Sequence, residues 1–176
     1  MFLRSENSYR RTLCGAAVAA TLLFFTPQKS LYGVAEAASG LFAGLSGSWS
    51  GTGTIKLSSG ASERIRCKGT YVVDGGGDNL QQTLVCASDS YDIKMKGSLG
   101  YKPNAGIVSG TWTETTYNTV GKVSGRVRSG QIRASIQGEG FLAQLTMVTR
   151  GNQQSVTITS KGSTVTDVSI NLRKSK

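Results

Sequence analysis

The chain has 176 residues, with 20 Lys and Arg against 10 Asp and Glu, so its formal net charge is +10. It contains no histidine. That removes the commonest general base and a common metal ligand, and leaves catalysis poorly supported from the outset.

The amino-terminal stretch reads as an export signal. Arg4, Arg10 and Arg11 form a basic lead, and Leu13 to Phe25 is an apolar run too short to span a bilayer. Ala35-Glu36-Ala37 offers a small-x-small site, so residues 1–37 are expected to be a signal peptide cleaved after Ala37; an uncleaved anchor is the alternative. Cleavage removes Arg4, Arg10, Arg11 and Lys29 together with Glu6 and Glu36, lowering the net charge from +10 to +8. Cys14 leaves with the signal. Cys67 and Cys86 remain, an even number that favours one disulfide in an oxidising compartment, and the expected address is periplasmic or secreted.

Residues 38–45 form a short lead-in whose apolar Leu41–Leu45 suggests a plug or a single helical turn. From Ser46 to Lys176 the pattern has period two. Trp49, Gly51, Gly53, Ile55 and Leu57 share one face, with Ser50, Thr52, Thr54 and Lys56 opposite. Ala61 to Ser88 reads as a hairpin around Asp74-Gly75-Gly76-Gly77-Asp78-Asn79, where glycine permits positive φ and Asp and Asn suit turn positions. If Asp74 faces Asn79, then Cys67 faces Cys86, at the roughly 4.5 Å of a non-hydrogen-bonded pair, close enough for a bridge. The same register places Ile65, Cys67, Tyr71 and Val73 with Leu80, Leu84 and Cys86 on the core side.

Further strands follow around Tyr91, Ile93 and Met95; Val108, Gly110 and Trp112; Val123, Gly125 and Val127; and Ile132, Ala134 and Ile136. The last three lie around Phe141, Ala143, Leu145 and Met147; Val156 and Ile158; and Val168, Ile170 and Leu172. Glycine turns separate most of them. This pattern predicts an all-β domain over residues 46–176: an antiparallel meander of about 8–10 strands closed as a small barrel, with a β-sandwich as the alternative. An outer-membrane barrel fits poorly, because its outward positions would be Lys, Arg, Ser and Thr against lipid.

Gly47-Ser48-Trp49 at the start of the first strand resembles the Gly-x-Trp of the calycins: lipocalins, fatty-acid-binding proteins and avidins. The resemblance implies a small up-and-down barrel with Trp49 packed beneath a basic residue, for which Arg173 is the nearest candidate. The biotin-contacting pattern of avidins is absent. The chain is also similar to small exported proteins of Gram-negative bacteria with one disulfide, among them periplasmic metalloprotease inhibitors.

No catalytic set, metal-ligand cluster or cofactor motif stands out. Asp89 and Asp92 lie near each other but fit a turn, and Gly75-Gly76-Gly77 joins two strands rather than leading into a helix. Arg64, Arg66, Lys68, Lys94, Lys96, Lys122, Arg126, Arg128 and Arg133 all fall on the outward phase. Solubility and edge protection account for such a belt; contact with an anionic envelope component, such as lipopolysaccharide, phospholipid or acidic glycan, is its functional reading. Nucleic acid is not expected, since the aromatic residues do not interleave with the basic ones. Tyr91, Tyr101, Trp112, Tyr117 and Phe141 fall mostly on the apolar phase, as core or as cavity wall.

Three functions follow. The first is a non-enzymatic exported protein, not integral to the membrane after cleavage, that holds a small apolar or amphiphilic ligand among Trp49, Tyr91 and Trp112. The second is an interaction protein using the basic belt. The third is a periplasmic protease inhibitor.

Overall fold

The computed structural model describes residues 39–176 with the exception of Tyr117; the expected signal peptide, with Cys14, lies outside the described residues. Ten strands follow in chain order: β1 (Gly47–Leu57), β2 (Ser62–Val73), β3 (Asn79–Ala87), β4 (Asp92–Lys102), β5 (Ile107–Glu114), β6 (Thr119–Arg128), β7 (Gln131–Gly138), β8 (Phe141–Arg150), β9 (Gln153–Lys161) and β10 (Val165–Lys174). Each pairs antiparallel with the next, and β1 closes the ring on β10. The sandwich alternative is not formed. Closure satisfies the two edges that an open meander would expose.

The central hairpin has the register expected from its turn. Asp74 N–H donates to Asn79 O at 3.1 Å, and the Asp74 carboxylate accepts from Asp78 N–H and Asn79 N–H. Cys67 stands opposite Cys86, with Cα atoms 4.1 Å apart, and the two form a disulfide facing the core. Gly77 closes the turn at φ 80°, a conformation that favours glycine.

Alternation holds along the strands, so one face of each lines the interior. The paired registers imply a stagger of roughly twelve residues around the ring, as tilted strands require. Inward glycines let neighbouring backbone approach closely. A Cβ on Gly51 or Gly53 of β1 would collide with the β10 carbonyls of Asn171 or Ser169. One on Gly110 of β5 would strike Ser98 O, and one on Gly121 or Gly125 of β6 would strike Gln137 O or Arg133 O. β1 and β6 lie half a ring apart, so these close backbone approaches face each other across the barrel.

The lead-in closes one end. Gly40 N–H donates to Gly76 O at 3.1 Å and Phe42 N–H to Gly77 O at 2.8 Å, which ties residues 40–45 to the turn between β2 and β3. The segment forms a turn, with Phe42 0% and Leu45 4% exposed. This plugged end is where β1 begins and β2 ends; the far end lies at the β1–β2 connection. No helix among the described residues is long and apolar enough to cross a membrane.

Candidate ligand cavity and basic outer wall

Buried inward side chains occur at both ends of the barrel, Leu80 and Leu172 near the plug and Ile55 and Ile65 toward the far end. Beneath the plug, Trp49 is 1% exposed and its Nε1–H donates to Leu45 O at 2.8 Å. Its ring lies 5.8 Å from that of Tyr71. The Tyr71 hydroxyl donates to Gln154 Oε1 at 2.7 Å, and Gln154 Nε2 donates to Thr149 Oγ1 at 3.2 Å. Burial pushes the Tyr71 phenol well above its ordinary pKa, so it remains a donor at neutral pH. Phe42, Leu80, Val108, Leu172 and Ile170 complete this packed half.

Arg173 does not cover Trp49: it is exposed on the outer face, because it follows the inward Leu172 in the alternation. Lys174 stands opposite Trp49 in the β1–β10 register instead, and its Nζ donates to Gly44 O at 3.1 Å. Lys174 and the Tyr71–Gln154–Thr149 chain were not singled out from the sequence. The inward period of Ile170 and Leu172 pointed to Lys174, whereas nothing local pointed to a hydrogen bond between positions 71 and 154.

Toward the far end burial is mixed: Ile55, Ile65, Cys86, Ile136 and Ala143 are buried. Ile93, Met95, Val123, Leu145, Ile158 and Val168 share the inward phase, yet each is only half-buried. Val123, Leu145 and Ile158 pack against the main core and against the smaller Trp112–Ile136–Ala143 cluster. An eight-stranded barrel is already wide enough for one small ligand, and width grows with strand number. Trp112, 8% exposed, lies against Gly121 and Gly138, its Nε1–H donating to Gln137 O at 3.2 Å. Its ring meets Phe141 edge-on at 6.0 Å. Tyr91 is half-buried at the far rim. Of the three predicted wall residues, Tyr91 and Trp112 thus belong to the far half, and Trp49 packs in the other.

Inward-facing charge is confined to the two ends. Lys174 is engaged with the plug. Glu63 and Glu114 sit at the far rim. Glu63 Oε2 accepts from Ser88 Oγ at 2.8 Å and Ser90 N–H at 3.3 Å, and the Ser88 bond leads in holding this carboxyl below its usual range. Glu114 Oε1 accepts from the N–H groups of Lys94 and Thr116 at 3.1 and 3.0 Å. Among the described residues no three His, Cys, Asp or Glu side chains are grouped to hold a metal ion.

Arg64, Arg66 and Lys68 on β2, Lys94 and Lys96 on β4, Lys122, Arg126 and Arg128 on β6, and Arg133 on β7 are all exposed on the outer face. Lys68 and Lys94 flank the 41%-exposed Val85 in one row. Arg126 stands directly opposite Arg133, a like-charge pair that costs stability unless an anion intervenes. Two grooves score the outer wall. One, of about 230 Å³, crosses β2–β5 and carries a single cation, Lys96; the other, of about 520 Å³, crosses β8–β9–β10–β1 between Arg150 and Arg173.

No protein-family model and no curated protein matches the chain. Several solved structures are similar in fold, among them the following two. The crystal structure of Rv2717c from M. tuberculosis superposes with a TM-score of 0.60 at 15% identity, over 76% of this chain and 94% of that one. The S-type phycobiliprotein lyase CPES from Guillardia theta superposes with a TM-score of 0.52 at 12% identity, over 77% and 90%. The likeness is one of overall fold.

Proposed function

We propose that this protein is a non-enzymatic, exported carrier that holds a small apolar or amphiphilic molecule in the far half of its barrel. One observation carries the reading: Ile93, Met95, Val123, Leu145, Ile158 and Val168 face the interior of a closed ten-strand ring and are only partly buried, although Ile55, Ile65 and Ile136 beside them are buried. Ligand pockets of this kind are mostly apolar, with few polar groups. Tyr91, Trp112 and Phe141 supply the aromatic wall, and Trp49 serves the packing beneath the plug. The Cys67–Cys86 bridge suits an oxidising compartment and therefore export.

The two tryptophans allow a direct test. Titration with neutral long-chain alcohols should change Trp112 emission, and the change should persist in high salt because no charge pair contributes to it. It should survive Trp49→Phe and disappear in Trp112→Phe. No saturable change with alcohols of any chain length, from protein whose disulfide is intact, would reject the carrier reading.

A further inference from the structure

The even-numbered strands all run toward the plugged end, and four of the five finish on cations: β4 at Lys102, β6 at Arg128, β8 at Arg150 and β10 at Arg173-Lys174. Adjacent strands lie about 4.8 Å apart, so basic side chains recur roughly every 10 Å around this rim. Lys174 is held by the plug, but Lys102, Arg128, Arg150 and Arg173 are exposed. Arg126 and Arg133, just inside the rim, add a second tier. Among the described residues none of these six lies within ion-pair distance of a carboxylate. Two acidic residues, Asp74 and Asp78, share this end, and Asp74 is engaged by its own turn. The other six acidic residues of the barrel (Glu63, Asp89, Asp92, Glu114, Glu139 and Asp167) lie toward the far end.

A concave feature interrupts this crown. The groove of about 520 Å³ between Arg150 and Arg173 is lined also by Ser50, Gln153, Ser155 and Asn171. Guanidinium groups with hydroxyl and amide neighbours suit a phosphate carrying a polyol.

We propose that the plugged end docks on a layer of anionic lipid headgroups, with one headgroup seated in the groove between Arg150 and Arg173. Cations set in a ring around a blunt end match a flat charged surface, whereas a chain-like polyanion would call for a linear track. Docking of this kind leaves the far end, with Tyr91 and the half-exposed wall, turned away from the lipid. The inference stands apart from the carrier reading, and neither fails with the other.

The test uses the full chain and vesicles of phosphatidylcholine with or without phosphatidylglycerol. Binding should require the anionic lipid and weaken as salt rises. Each rim cation near the surface accounts for roughly fivefold in affinity, so Lys102→Ser, Arg128→Ser, Arg150→Ser and Arg173→Ser together should lower it by several hundredfold. The charge-matched quadruple variant Arg64→Ser, Arg66→Ser, Lys68→Ser, Lys94→Ser on the side wall should stay within about twofold per cation. Arg150→Lys with Arg173→Lys keeps the charge but removes the guanidinium forks; it should retain the salt dependence and lose the preference for phosphatidylglycerol over phosphatidylserine. All substituted positions are exposed, and unchanged circular dichroism verifies the fold. Equal losses in the rim and side-wall variants would reduce the effect to net charge and overturn the proposal. Tighter binding to a soluble acidic polysaccharide than to vesicles would overturn it too.

Discussion

The Tyr71 hydroxyl reaches Gln154 on β9, three strands away around the ring. Gln154 is 2% exposed, so its amide has no recourse to water. Tyr71→Phe strands Gln154 Oε1 and should destabilise the protein by about 1–3 kcal/mol, read as a lower urea midpoint at neutral pH. The pH dependence follows from the raised phenol pKa. Between the unfolded value of about 10 and the higher folded value, the native state holds a proton that the unfolded state has released. Stability is therefore fully present below about pH 10 and declines as pH rises above it. Tyr71→Phe should flatten that alkaline slope; an unchanged slope would place its origin elsewhere. A residue-level contact like this leaves no trace in the sequence, because its partners are 83 positions apart. Lys174 is different. The inward period of Val168, Ile170 and Leu172 runs on to it, and phase rather than proximity to Trp49 separates it from Arg173.

Strand, turn and register were the most legible elements. Glycine turns and period two located the strands, and the Asp74–Asn79 turn set the pairing that brings Cys67 to Cys86. Replacing both cysteines by alanine should cost about 3 kcal/mol in denaturant stability, since the bridge closes a loop with a sequence separation of 19. Equal midpoints for the oxidised protein and the double variant would show that the bridge contributes nothing. Closure of β1 on β10 was legible only as a preference against open edges, for no local pattern links Trp49 to Lys174. The roles of the inward glycines were likewise hidden, since a glycine at a close backbone approach and one beside open space look alike in sequence. Gly110 and Gly97 separate the two cases. A methyl on Gly110 would strike Ser98 O, whereas one on Gly97 meets nothing closer than Gln82 Cβ at 3.8 Å. Gly110→Ala should therefore cost about 3 kcal/mol or more, and Gly97→Ala well under 1 kcal/mol, in parallel thermal melts.

Across the whole molecule, the barrel interior mixes fully buried inward side chains with others that are only partly buried. The sequence could not distinguish them: inward Met147 and Leu145 on β8 are both apolar, two positions apart, and identical in pattern. Their surroundings differ. Met147 is 6% exposed and packs in the main core, while Leu145 is half-buried. Truncating a side chain in a filled core removes transfer energy and also leaves a void whose neighbours relax only in part; truncating one at an existing space mainly enlarges that space. Met147→Ala should thus cost about 2–5 kcal/mol, and Leu145→Ala no more than half as much, each measured by urea denaturation. The same pair should divide the opposite way in binding. Leu145→Ala alters the cavity wall and should shift the alcohol chain length that binds best, while Met147→Ala, where it folds, should leave that optimum in place. Equal stability losses at the two positions would mean that Leu145 is as tightly packed as Met147, and the carrier reading would lose its physical basis.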